Sequence, residues 1–150
     1  MLKILKKLWS LNSQHLYNEI ANLTDDQIYD LEYLDLVKMT FKHIYPRINT
    51  ERITEIDDGS YQGTLIYVMP FENYQPLASD YLLTCIEYGS CSFCDTLQRI
   101  KHENTGEEQK KDLLTLCRDM VVETVKPYNY GWRIDKDFDI VDDFNDNMED

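Results

Sequence analysis

Thr64-Leu65-Ile66-Tyr67-Val68 and, after a longer loop, Tyr81-Leu82-Leu83-Thr84-Cys85-Ile86-Glu87-Tyr88 decide how this chain folds. The first run is rich in β-branched and aromatic residues and is flanked by turn formers, which predicts a strand. The second carries apolar side chains on both faces, Tyr81, Leu83 and Cys85 against Leu82, Ile86 and Tyr88, which predicts a central or covered strand. Upstream, Arg52-Ile53-Thr54-Glu55-Ile56 alternates and Asp57-Asp58-Gly59 supplies turn chemistry. Three consecutive strands with short links predict an antiparallel meander.

The period changes to that of a helix on both sides of the meander. Thr24-Asp25-Asp26-Gln27 has the form of a capping box. It opens a predicted helix carrying Tyr29, Tyr33, Leu36, Val37, Phe41 and Ile44 and closed by Pro46. Ahead of it, residues 2–22 read as one broken or two short helices interrupted around Ser10 to Ser13, docking Leu2, Leu5, Leu8 and Trp9 on the core. Lys3, Lys6 and Lys7 give that segment some character of a membrane-surface helix, but the acidity of the rest opposes binding to anionic lipid. Beyond Gly89 and Ser90, one short helix holds Leu97 and Ile100. A second capping box, Thr105-Gly106-Glu107-Glu108, opens a helix with Leu113, Leu116, Cys117, Met120, Val121 and Val125 that Pro127 ends. Helices, three strands and helices again predict one α+β domain over residues 1–133.

Residues 134–150 form an acidic C-terminal tail with eight acids and one lysine. Its apolar residues Phe138, Val141, Phe144 and Met148 recur at helical spacing, while Asp135, Asp137, Asp139, Asp142, Asp143 and Asp146 crowd the other positions. The pattern predicts a helical element with a docked apolar stripe and an outward negative ridge; a frayed terminus is the alternative.

Charge narrows the classes of function. The chain has 28 acidic against 15 basic residues, a formal charge of −13. Affinity for phosphate backbones comes mainly from basic patches, so direct binding to nucleic acid is disfavoured and a basic partner is favoured. With no run of about 18 apolar residues and no secretory cleavage pattern, the expected setting is soluble and cytoplasmic, with no membrane association. Eleven tyrosines suit a protein-binding surface, though AT-rich coding sequence would give the same excess.

The sharpest local feature is Tyr88-Gly89-Ser90-Cys91-Ser92-Phe93-Cys94-Asp95, a strand, a glycine turn and a CxxC at a helix start. Three readings stand. A thiol at a helix N-terminus has a lowered pKa and suits redox chemistry. Cys91 and Cys94 could grip zinc if Cys85 and Cys117 closed the site, His102 being too far along its helix. Or the thiols are structural and Ser92 and Asp95 cap the helix. No cofactor is expected. Phosphate-binding glycine loops, nucleophile elbows and histidine pairs at metal spacing are absent, His15, His43 and His102 are scattered, and Glu108-Gln109-Lys110 lies on a helix. No catalytic residue is assigned, and the expectation is a protein that is not an enzyme.

The stretch from Tyr88 to Gln98 resembles a motif, YGSCSxCDTLQ, of small uncharacterised proteins of bacteriophages and their Gram-positive hosts. An upstream Y-x-G-T-L strand often accompanies it, as Tyr61-Gln62-Gly63-Thr64-Leu65 does here. The likeness covers about residues 60–125. In those proteins glycine often fills the place of Phe93, and a bulky aromatic between the cysteines argues against a ligand pocket there. The resemblance carries no functional residue; it implies a phage or prophage setting. In that setting the expected function is to bind and inhibit a basic, nucleic-acid-binding host protein, as a DNA mimic in anti-defence. The tail residues Asp135, Asp137, Phe138, Asp139, Val141, Asp142, Asp143, Phe144 and Asp146 are the first candidates for contact, followed by Glu51, Glu55, Asp57 and Asp58. The alternatives are a zinc or redox module on Cys91 and Cys94, and a phage replication or morphogenesis accessory.

Overall fold

The computed structural model describes residues 2–59, 62–72, 81–91, 94–103 and 105–126. The expected helical tail, its partner-binding residues and the expected helix stop at Pro127 lie outside them, as do Ser92 and Phe93.

The meander forms as an antiparallel sheet in the order β1-β2-β3, with β1 at Thr54–Asp57, β2 at Gly63–Pro70 and β3 at Tyr81–Tyr88. Its inner face alternates as a pleat requires: Leu65, Tyr67 and Met69 on β2 stand opposite Ile86, Thr84 and Leu82 on β3. The chain is therefore an α+β fold, helices flanking a three-stranded antiparallel sheet.

β2, rather than β3, is the central strand. β3 nonetheless has cover on its outer edge, because Leu83 and Val125 exchange both backbone hydrogen bonds, at 2.9 and 2.8 Å. Val125 was expected inside the last helix; that helix ends at Val122, and the chain turns back to seal the sheet edge.

The N-terminal segment is one unbroken helix, α1, from Lys3 to Ala21. The expected interruption at Ser10–Ser13 does not occur: the segment holds neither glycine nor proline, and the Ser10 hydroxyl is accommodated within the helix, donating to the Lys6 carbonyl (3.1 Å). Leu5, Leu16 and Ile20 are fully buried, with Leu2, Leu8 and Trp9 packed around them. Two further helices follow where one was expected, α2 at Asp25–Asp30 and α3 at Tyr33–Ile44. Leu31 and Glu32 between them are extended (ψ 135° and 166°). The capping box at Thr24 forms as read, Gln27 N–H to the Thr24 hydroxyl at 3.1 Å and Thr24 N–H to the Gln27 amide oxygen at 2.9 Å.

The C-terminal helices are α4, Thr96–Glu103, and α5, Gly106–Val122. The second capping box is not made. Gly106 lies in the left-handed region (φ 62°), and the Thr105 hydroxyl caps nothing. Gln109 is buried instead, its amide donating to the last carbonyls of α4, Ile100 and Lys101. α1, α3 and α5 pack together around Leu16, Ile20, Leu36, Val37, Phe41, Leu113, Cys117 and Met120. The Thr84 and Thr124 hydroxyls both donate to the Met120 carbonyl, at 2.6 and 2.8 Å, fastening β3 to the end of α5. Among the described residues, no helix is long and apolar enough to cross a membrane.

Candidate functional site: an acidic cleft between the helix corner and the sheet

The break between α2 and α3 opens a cleft of about 520 Å³. Its walls come from the α2–α3 corner (Tyr29 to Tyr33), from Glu55 and Asp57 on β1 and from the sheet residues Leu65 and Tyr88. Asp95, Leu97, Gln98 and Lys101 of the α4 region complete it. Among the described residues, five that line it are carboxylates, Asp30, Glu32, Glu55, Asp57 and Asp95, against a single lysine.

The corner is held from both sides. Lys101 reaches across from α4 and donates to the carbonyls of Tyr29 (2.8 Å) and Leu31 (2.5 Å), which the end of α2 leaves without helical partners. The Asp35 carboxylate accepts from the Glu32 N–H (2.9 Å) and so starts α3. Burial pushes the Lys101 ammonium below its ordinary pKa, against the pull of Glu32, Asp30, Asp95 and Asp35. Its hydrogen bonds are thus taken up by the corner, while its charge still interacts with those carboxylates.

Asp95 is the hub. It is buried, and its carboxylate accepts from the Tyr33 hydroxyl (2.9 Å), the Gln98 N–H (3.0 Å) and the Gly89 N–H (3.1 Å). One side chain thereby caps α4, fixes the end of β3 and anchors the start of α3. The Tyr33 hydroxyl in turn accepts from the Leu97 N–H (3.1 Å). Desolvation, and then the neighbouring Asp95, push the Tyr33 phenol well above its ordinary range.

Two more phenols repeat the arrangement. Tyr67 donates to Glu55 (2.8 Å) and Tyr88 to Asp57 (2.6 Å). Burial and then Glu55 raise the Tyr67 phenol, while the hydrogen bond to Asp57 pushes Tyr88 up to about 12. The same bond, with the Gly59 N–H, holds the Asp57 carboxyl below its ordinary value. These phenols stay neutral donors, and the carboxylates they orient stay in fixed positions. Such a site can receive an ammonium or guanidinium group, and Tyr29, 68% exposed, adds an aromatic face at the rim.

Of the sequence candidates, Glu55 and Asp57 line this cleft, Asp58 accepts from the Thr64 N–H (2.6 Å) in the hairpin, and Glu51 is exposed outside it. Asp95 caps α4 as read. Tyr33, Tyr88, Asp30, Glu32 and Lys101 also line the cleft, brought there by tertiary packing rather than by their spacing in the sequence. The Glu32-x-x-Asp35 spacing is the one local signal of the corner, and it is faint because glutamate is a poor N-cap residue.

The cysteines do not converge. Cys85 is half-buried on β3 and Cys117 fully buried in α5, where desolvation pushes its thiol up to about 12. Cys91 and Cys94 are exposed, with sulfurs 3.4 Å apart. The Cys94 thiol is raised, opposite to the lowering expected, by its hydrogen bond with Cys91 and then by the repulsion of a Cys91 thiolate. Among the described residues, no group of three or more His, Cys, Asp or Glu could hold a metal ion. His43 pairs with Glu19 (2.8 Å) across α1 and α3, and His15 and His102 are exposed. No family model, no curated protein and no solved structure matches the chain.

Proposed function

We propose that this chain is an acidic interaction protein that binds a basic, nucleic-acid-binding protein of a bacterial host and inhibits it by occupying its nucleic-acid groove. The observation that carries the reading is the cleft. Five carboxylates, three of them oriented by tyrosine hydroxyls, line one opening, and Lys101, the one lysine lining it among the described residues, is engaged by backbone carbonyls. An arginine or lysine entering there meets charge already in place, so little side-chain ordering opposes binding. The formal charge of −13 supports it by steering a cationic partner toward the chain. The resemblance of Tyr88 to Gln98 to phage and prophage proteins supplies the setting, a cytoplasm in which host defence or repair enzymes are targets.

In this reading Asp135, Asp137, Asp139, Asp142, Asp143 and Asp146 offer a second acidic surface, with Phe138, Val141 and Phe144 as its apolar anchors. The test is affinity capture from a Gram-positive lysate on the full chain tagged at its N-terminus, eluted with a salt gradient. The expected eluate is a basic nucleic-acid-binding protein, released by added DNA and inhibited by the purified chain. Capture that DNA does not compete away contradicts the groove-blocking reading.

A further inference from the structure

The acidic cleft leaves unused two exposed thiols, Cys91 and Cys94. Their sulfurs lie 3.4 Å apart, against about 2.0 Å in a disulfide, so a small rotation of the side chains closes the pair. The backbone holds them there. The Cys91 carbonyl accepts from the N–H groups of Cys94 (3.0 Å) and Asp95 (2.8 Å), a closed turn. The turn is clamped at its far end by Asp95, whose carboxylate also takes the Gly89 N–H. Gly89 lies directly against Cys94: a Cβ there would stand 2.4 Å from the Cys94 carbonyl carbon. Only glycine at position 89 lets Cys94 approach the end of β3 this closely. Cys85 is half-buried and Cys117 buried, so neither has the same access to solvent.

We propose that Cys91 and Cys94 form a reversible dithiol–disulfide couple that exchanges with low-molecular-weight disulfides of the glutathione class. One thiol, as thiolate, attacks the small disulfide; its S–S bond breaks and one small thiol leaves, taking up a proton. The second cysteine, giving its proton to solvent, attacks the mixed disulfide, forms the Cys91–Cys94 bond and expels the second small thiol. Two protein thiols and one small disulfide become one protein disulfide and two small thiols. The protein sulfurs lose two electrons in total and the small disulfide gains them. Because the turn already holds both sulfurs, the second step is close to unimolecular and outruns release of the mixed disulfide. Cys94 is raised, so exchange speeds up as pH rises through the thiol range. The couple stands independently of any protein partner.

The experiment equilibrates the full chain in mixtures of reduced and oxidised glutathione, quenches with acid, alkylates in denaturant and maps the modified peptides. In the reducing mixture all four cysteines are alkylated. In the oxidising mixture two escape, both in the Cys91–Cys94 peptide and without a glutathione adduct, and a reductant restores them. Cys94→Ser, which cannot close the bond, instead accumulates glutathione on Cys91. The proposal is overturned if both thiols stay alkylatable in the oxidising mixture, if protection maps to Cys85 or Cys117, or if the unsubstituted chain accumulates the same adduct as Cys94→Ser.

Discussion

Asp95 concentrates more of the structure in one side chain than any other residue of the cleft. It accepts from Tyr33, Gly89 and Gln98, so its loss strands a helix cap and a buried phenol together. Asp95→Ala is expected to lower stability by about 2–4 kcal/mol, and Tyr33→Phe by about 1–2 kcal/mol, in denaturant unfolding. Equal stability of Asp95→Ala and the parent would refute the hub. Glu19 sets a second test through pH. Burial alone would raise its carboxyl, but Lys42 and His43, each 2.8 Å away, outweigh that and its pKa is lowered. A folded-state pKa below the unfolded one gives stability that is present above the unfolded value, about 4.3 for glutamate, and lost as pH falls through the folded value. The unfolding midpoint should therefore drop on acidification, and less steeply in Glu19→Gln; parallel curves would exclude the pair as a contributor. Both groups were invisible as a site in the sequence. The capping role of Asp95 was readable from its place before a helix, whereas its bond to Tyr33, 62 positions away, was not.

At the scale of elements, what was legible follows from local periodicity and what was not follows from tertiary contacts. β3 lies at Tyr81–Tyr88, the run its apolar residues marked, and the Thr24 capping box forms because every group in it is within four residues. The α2–α3 corner is not legible in the sequence because the helical period runs through it unbroken. The side chain that stabilises the free carbonyls of Tyr29 and Leu31 is Lys101, on another helix. The position of Val125 is hidden for the same reason: its spacing continues α5, but pairing with Leu83 is available once the sheet exists. That edge contact is testable. Val125→Pro removes the N–H that the Leu83 carbonyl accepts (2.8 Å), and should cost about 1–3 kcal/mol and leave β3 open to pairing with other chains. Unchanged midpoint and unchanged solubility would show that the bridge contributes nothing.

Taken whole, the molecule carries a large acidic excess, and among the described residues the cleft organises part of it. Twenty-eight acids make long-range attraction to any cation inevitable, so attraction by itself does not locate a site. The cleft differs in holding three of its carboxylates on phenol donors and in engaging the Lys101 ammonium with backbone carbonyls. Binding there should weaken steeply with salt, since exposed charges are screened over about 8 Å at physiological ionic strength. The decisive measurement is a calorimetric titration of the full chain with an arginine-rich peptide, nona-arginine, at low salt. Three chains are compared: the parent, one with Asp30→Asn, Glu32→Gln and Glu55→Gln, and one with the same number of charges removed elsewhere, by Glu103→Gln, Glu107→Gln and Glu108→Gln. A fourth, lacking residues 137–150, measures what the acidic tail adds. A cleft that receives the cation predicts affinity reduced roughly tenfold or more, about 1.4 kcal/mol, in the first variant and nearly unchanged in the second. Equal weakening in both, or loss of binding only in the truncated chain, would contradict the cleft as the site.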